Sequence, residues 1–564
     1  MTAAAQTPDW RSDWGVAEGF SLHRDTEGYR FPTAIAVVPN PGHEPGDPLY
    51  FVTELQGTIK VVTNDRSVHT FAHVPAPVKD TLPKAEAEVG LAGICLEPRH
   101  GYVFATYAYH DADGVLRNAL VRYQTPPRRF GVAPSDSLVI RELFARDVAA
   151  VSHQIGPCQA TDRVLFVSVG DGENPRMSHV LGSTLGKVLR LDLEGRPAPG
   201  NPFARADSSA SARAIWALGL RNPFGLHLVG DRLFAADNGN QMDRFVEIER
   251  GRDYLWDGND RSIGAAAAQT LTPPHSPVQL DYCAGEGFPD RWRNRFYLAL
   301  SGRPVDSGPE ARGHGKGVMV LDYSMTARRM QAVPEYLVRY QGTRPQSVVG
   351  VGCAPDRLYI VPLYPDTSGR TAVLTARFTP DSGHPYPLSD DTDPLTLMDE
   401  RGCFGCHRLG PRGGTVAPPL DYPVLLARLR ERLATPAYEA RVREVDALQA
   451  EPFTSFRDER AQVLHASGDM RLRLWVRYRL REPKFDSPES QMPNLGLSDA
   501  QAVSVAEFLL TPPPADTTAR RPSLLKRLSP RRRLQLALVL AVTFAAGAAA
   551  GVVATWLLRR RAAP

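Results

Sequence analysis

The residues with the most specific chemistry are Cys403-Phe404-Gly405-Cys406-His407. Two thiols three positions apart stand about one helical turn from each other, and an imidazole follows directly. C-x-x-C-H in this order is the pattern of covalent haem attachment. The thiols form thioethers to the porphyrin vinyl groups, and His407 lies beneath the iron as proximal ligand. Zinc would require a second pair of soft ligands, and none has suitable spacing nearby. A second set lies upstream. Ser152-His153-Gln154-Ile155-Gly156 precedes the turn Gly170-Asp171-Gly172, Gly186-Lys187-Val188-Leu189-Arg190 follows, and Gly219-Leu220-Arg221-Asn222-Pro223 leads to Asn238-Gly239-Asn240. An imidazole that titrates near neutrality can take a hydroxyl proton, and an arginine fork can hold carboxylates or a reducible oxygen.

The elements that must position these residues fall into two patterns. Residues 19–378 carry short β-branched and aromatic runs followed by Gly/Asp/Asn turns: 49–52, 102–105, 164–167, 232–234, 295–298 and 358–361. Six such units about sixty residues apart predict an all-β six-bladed propeller; the alternative, a β-sandwich, is usually much shorter. Residues 379–394 read as a linker, and 395–511 as an all-α domain with helical periodicity at 422–433, 472–480 and 498–510. Residues 512–533 form a Pro/Arg-rich linker. Residues 534–558 are 25 positions without a charge, between Arg531-Arg532-Arg533 and Arg559-Arg560-Arg561. At about 1.5 Å per residue they suffice to cross a bilayer as one helix.

Formal charge is +4, but ten basic residues and no acidic ones lie from Arg520 onward. The rest of the chain is mildly acidic, which argues against a nucleic-acid partner. More arginines and lysines precede the apolar segment than follow it, and this bias alone would hold the body in the cytoplasm. Covalent haem attachment takes place outside the bacterial cytoplasm. A chemical requirement outweighs a statistical bias, so the expectation is a bacterial cell-membrane protein, single-pass, with its domains extracytoplasmic. Residues 1–14 show no apolar stretch of the kind that directs export.

Two resemblances extend this reading. Gln491-Met492-Pro493 before the final helix resembles the C-terminal half of class I cytochromes c, where such a methionine is the sixth iron ligand. The resemblance implies Met492 as axial ligand; Met470 is the competing candidate. Residues 30–360 resemble the soluble quinoprotein glucose/sorbosone dehydrogenases, six-bladed propellers that use pyrroloquinoline quinone (PQQ) and Ca²⁺. That family's roles, carried position by position, make His153 the general base. They make Arg221 and Asn222 the quinone-holding pair and Gly239 and Asn240 the Ca²⁺ carbonyls. Asn238, Glu88, Arg303 and Arg344 become further cofactor contacts. The sequence departs from the family pattern at Glu88, where a glutamine is usual, and at Ser152, where an aspartate usually precedes the base.

Together these features imply a membrane-anchored quinohaemoprotein. It would oxidise a sugar or alcohol hydroxyl in the propeller and pass electrons through haem c to a respiratory-chain acceptor. A quinone takes electrons in pairs and haem takes them singly, so a fused haem is a sensible exit. The rival classes are an electron carrier with an inactive propeller, and a propeller hydrolase, which would need a carboxylate metal cage. Cys95, Cys158, Cys283 and Cys353 allow three disulfide pairings or free buried thiols.

Overall fold

The structure, a computed structural model, describes residues 9–74, 88–206, 209–240, 242–259, 267–272, 274–302, 315–388, 394–434 and 436–512. The apolar runs form strands because alternate side chains of a β-branched or aromatic segment pack on both faces of a sheet buried between neighbours. Six antiparallel sheets result. The first blade is Pro32–Val37, Pro48–Glu54, Thr58–Thr63 and Val68–His73. The second is Leu91–Glu97, Tyr102–His110, Leu116–Gln124 and Asp136–Ile140. The third is Ile155–Ala160, Val164–Val169, Lys187–Asp192 and Ile215–Leu218. The fourth is Pro223–Val229, Arg232–Asp237, Asp243–Ile248 and Gln269–Leu271. The six-bladed propeller expected from the sequence is therefore the observed architecture.

The last two blades are completed from the chain's beginning. Pro277–Cys283, Arg295–Ser301, Lys316–Leu321 and Glu335–Tyr340 take Trp14–Val16 as a fifth strand. Val348–Ala354, Arg357–Pro362 and Ala372–Phe378 take Phe20–Glu27 as their outer strand. Phe20, fully buried, packs against Phe288, Trp292 and Phe378. Burying such a ring contributes about 1.5–3 kcal/mol to closing the circle. Two disulfides staple neighbouring innermost strands: Cys95–Cys158 joins the second and third blades, and Cys283–Cys353 the fifth and sixth. The Gln279 amide of the fifth blade's first strand bridges to the Ile35 N–H (3.1 Å) and C=O (2.6 Å) of the first blade.

The expected linker at 379–394 is, in its described part, not free. Val16 N–H donates to the Tyr386 carbonyl, and Leu388 and His384 N–H groups donate to Val16 and Phe20. The backbone of the opening strands offers unpaired groups on an edge, and this segment satisfies them. Helices follow at Pro394–Glu400, Cys403–Cys406, Tyr422–Ala434, Pro436–Asp446, Arg457–His465, Gly468–Arg481 and Asp499–Leu510. Pro436–Asp446 and Arg457–His465 are additional to the three expected. Their polar composition hides the periodicity, although Tyr438, Val442 and Val445 share one buried face. Arg460, fully buried, ties them together, donating to Asp446 (2.7 Å) and to the carbonyls of Phe485 (2.8 Å) and Phe453 (2.6 Å). No helix among the described residues is long and apolar enough to cross a membrane. The expected span at 534–558 and nearly all of the linker at 512–533 lie outside the described residues.

Candidate functional site

In a four-stranded meander, the loop entering the first strand and the loop joining the second to the third lie at the same end. That geometry gathers residues distant in sequence. Glu88, His153, Arg221, Asn222 and His275 sit in entering loops of successive blades. Asp171 and Asn238 to Asn240 sit in second-to-third loops.

His153 has a positive φ of 56°, a conformation uncommon for a residue with a Cβ and frequent at functional sites. A Cβ on Gly170 would lie 2.4 Å from the His153 carbonyl, so glycine is what lets the two loops touch. The His153 Nδ1 stands 2.6 Å from Asp171 Oδ1. A carboxylate only accepts, so Nδ1 carries the proton and Nε2 keeps its lone pair. Asp171 is itself fixed: Trp256 Nε1 donates to Oδ2 at 2.8 Å, Glu173 N–H to Oδ1 at 2.9 Å, and its own N–H reaches the Arg221 carbonyl at 2.6 Å. Ser152, where an aspartate was expected to orient the base, instead donates to Glu173 Oε1 at 2.6 Å. The orienting carboxylate is Asp171, from the Gly170-Asp171-Gly172 turn; the sequence marked that turn but not its partner.

Arg221 donates from Nη1 to the Asn238 carbonyl (2.9 Å) and from Nη2 to Asn240 Oδ1 (2.7 Å), with its guanidinium 5.6 Å from the Trp256 ring centroid. The Arg221 and Asn222 N–H groups reach Asp237 Oδ1 at 3.2 and 2.7 Å. Asp237 is buried and paired with buried Arg244 at 2.8 Å. Asn238, expected to contact a cofactor, directs its amide to the carbonyls of Asn222 (3.1 Å) and Pro277 (2.8 Å) and so ties the fourth blade's loops to the fifth. Asn222 Oδ1 and Arg221 Nε are buried without a hydrogen-bond partner among the described residues. Arg221 Nε is a donor that a ligand oxygen would satisfy, and Asn222 Oδ1 an acceptor that a ligand N–H would satisfy, so a ligand carrying both carboxylates and a ring N–H, as PQQ does, fits these residues.

Beyond them, Asp243 Oδ1 accepts the Gly239 N–H (3.1 Å), while Oδ2 accepts those of His275 (2.5 Å) and Ser276 (3.0 Å). This fixes the loop whose Gly239 and Asn240 carbonyls are the proposed Ca²⁺ ligands. Burial pushes the Asp243 carboxyl up to about 7, against the pull of these N–H groups and Arg221. Lys187, fully buried, donates to the Met177 and Leu185 carbonyls at 2.6 Å, and burial pulls its amine down to about 7. Glu88 Oε2 accepts the His153 N–H at 3.2 Å. Burial of its carboxyl raises its proton affinity, although part of the side chain remains exposed; His153 and Arg221 oppose that rise, and Glu173 adds to it. Arg344 donates to the Asp366 carbonyl at 3.1 Å, and Arg303 lies outside the described residues. No three His, Cys, Asp or Glu side chains among the described residues converge to hold a metal ion.

In the helical module, Gly402 adopts a left-handed φ of 73° and starts the one-turn helix Cys403–Cys406. Both thiols are unpaired; Cys403 is buried and Cys406 partly so. The His407 Nδ1–H donates to the Pro418 carbonyl at 2.7 Å. That bond selects the tautomer with Nε2 free for a metal, and burial keeps the ring's proton affinity low. Met492 is half-buried against the module's core, whereas Met470 is 59% exposed. Of the two methionines the sequence offered, Met492 therefore lies against the core and Met470 at the surface.

Residues 31–270 match the family model described as Glucose / Sorbosone dehydrogenase. The match ends within Gln269–Leu271, so the fifth and sixth blades and the helical module lie beyond it. No curated protein matches the chain. Similar solved structures include the PQQ-bound form of aldose sugar dehydrogenase from Streptomyces coelicolor, at 20% identity and TM-score 0.47, covering 64% of this chain and 99% of that one. They also include the apo-form of the soluble aldose sugar dehydrogenase from Escherichia coli, at 16% identity and TM-score 0.47, covering 64% and 99%. A structure titled glucose dehydrogenase is 18% identical with TM-score 0.48, covering 63% and 98%.

Proposed function

We propose that this chain is a membrane-anchored quinohaemoprotein oxidoreductase acting on a sugar or alcohol hydroxyl. The observation that carries the reading is the His153–Asp171 pair with its free Nε2, set beside the partnerless Arg221 Nε and Asn222 Oδ1. The family-model match over 31–270 supports the same class of chemistry. PQQ, when bound, would supply the two-electron oxidant and Ca²⁺ a Lewis acid on it; haem would supply a one-electron outlet. The chain's own residues do the rest. His153 Nε2 accepts the substrate hydroxyl proton, and Asp171 stabilises the imidazolium that forms. Arg221 and Asn222 hold the cofactor, with Gly239 and Asn240 offering carbonyls to the cation. Cys403 and Cys406 would tether the haem, and His407 and Met492 would hold its iron.

Two disulfides within the propeller support a location outside the cytoplasm, since such bonds persist in oxidising compartments. The single-pass anchor at 534–558 and the respiratory acceptor complete the proposal. Protease treatment of intact spheroplasts tests the location: a body left uncut from outside overturns it. The enzymatic reading is tested by loading purified protein with PQQ and Ca²⁺ and following haem reduction across a panel of sugars and alcohols. No substrate-dependent reduction in a correctly folded haem protein removes the enzyme reading. The second reading, a haem-carrying protein with an inactive propeller, is favoured by the carboxylate of Glu88 at the pocket mouth, which disfavours an anionic cofactor. Absence of PQQ binding would support that reading.

A further inference from the structure

Three carboxylates lie along the Ser152-His153 turn: Glu88 at the His153 N–H, Asp171 at its ring and Glu173 at the Ser152 hydroxyl, with the Arg221 guanidinium acting on Glu88 from nearby. They are not equivalent. Asp171 accepts from the His153 ring, the Trp256 indole and the Glu173 N–H. Glu173 accepts the Ser152 hydroxyl. Glu88 is met by the His153 N–H on Oε2 alone among the described residues.

The backbone just beyond Glu88 is held in place. The Leu91 N–H is bonded to the Leu55 carbonyl at 3.0 Å. Gly90, with a φ of 147°, runs so close to that carbonyl that a Cβ there would stand 2.1 Å from it. The turn carrying Glu88 is therefore clamped to the first blade. A polycarboxylate binding beside Arg221 meets this like charge within the field of the same guanidinium. Like charges at close range in a partly desolvated site favour protonation of one of them.

We propose that Glu88 binds a proton as the anionic cofactor docks, and that the resulting carboxylic acid donates a hydrogen bond to it. The inference rests on the quinone reading above. The proton comes from solvent and ends on a Glu88 oxygen; no bond in the ligand forms or breaks. Oε2 keeps the His153 N–H, so the acid is held in one orientation. The charged and titratable groups around it act in both directions: burial and Glu173 favour the proton, while His153 and Arg221 oppose it. Docking engages Arg221 with the ligand's own oxygens and so removes part of the opposition. Binding then favours low pH, whereas proton abstraction by His153 requires a neutral imidazole and so favours high pH. The two demands separate into KM and kcat.

The test is calorimetric titration of the full haem-loaded chain with PQQ in Ca²⁺, in buffers of different ionisation enthalpy. Wild type is expected to take up close to one proton per PQQ bound, and Glu88→Gln close to none. Above the pKa of Glu88 in the free protein, the wild-type Kd should rise about tenfold per pH unit, while that of Glu88→Gln stays level. Should Glu88→Gln fold poorly, as read from its Soret band and melting curve, Glu173→Gln serves instead; removing the like charge should reduce the uptake. PQQ binding without proton uptake in wild type, or with equal pH slopes in wild type and variant, overturns the inference and leaves the quinone reading standing. Failure of both proteins to bind PQQ at any pH overturns both.

Discussion

In the helical module, the residues that would attach a haem and supply its proximal ligand fall within a five-residue stretch, 403–407, and one backbone carbonyl, that of Pro418, orients the imidazole. In the propeller, Glu88, His153, Asp171, Arg221 and Asn238 come from three successive blades and their connections, and meet only because a closed ring brings one set of loops together. The first arrangement depends on a local turn, the second on the accuracy of the whole ring. A site of the first kind tolerates damage elsewhere in the chain. A site of the second kind should be lost by changes far from it.

The largest expected effect isolates the local site. Cys403→Ala together with Cys406→Ala should abolish covalent haem, read as loss of a haem-staining band after denaturing electrophoresis, with PQQ affinity unchanged; an altered PQQ affinity would show that the two regions depend on each other. Next, His153→Ala should lower substrate-dependent turnover by about 10²–10⁴-fold while PQQ still binds. Asp171→Asn should cause a smaller loss, because the imidazole remains but its tautomer is no longer imposed; equal losses would mean that Asp171 touches the reacting atoms. Replacing Cys95 and Cys158 by serine should destabilise the ring by about 2–4 kcal/mol, measured in urea, and weaken PQQ binding while the Soret band is unaffected. The last effect comes from Asp243. Its carboxyl holds a proton in the folded ring up to about 7, against an ordinary 3.8, so the native state binds more protons than the unfolded one in that window. Stability should therefore fall as pH rises from about 4 to 7, and Asp243→Asn should flatten that decline in melts taken at pH 5 and 7.

The six repeated strand units and the C-x-x-C-H stretch are legible in the chain because both are local patterns, one of alternation and turns, the other of spacing along a single helical turn. The ends of the ring are less so. That Trp14–Val16 and Phe20–Glu27 complete the fifth and sixth blades depends on pairing across more than 300 residues, Phe20 with Phe378 among them. Nothing in an isolated strand names its neighbour. The polar helices Pro436–Asp446 and Arg457–His465 escaped notice because their stability rests on Arg460 and a few buried side chains rather than on an apolar stripe.

By itself the sequence determined the blade number, the C-x-x-C-H stretch, and His153 and Arg221 as the groups to watch, since residue type and short spacing are enough for each. Only the tertiary structure decided that Asp171, not a neighbour of His153 in sequence, orients that imidazole. It alone paired Cys95 with Cys158 and Cys283 with Cys353, set Met470 on the surface, and committed Asn238 to the backbone. A hydrogen bond or a disulfide needs two groups within a few ångströms, and for residues on different blades that distance is fixed by how the ring closes.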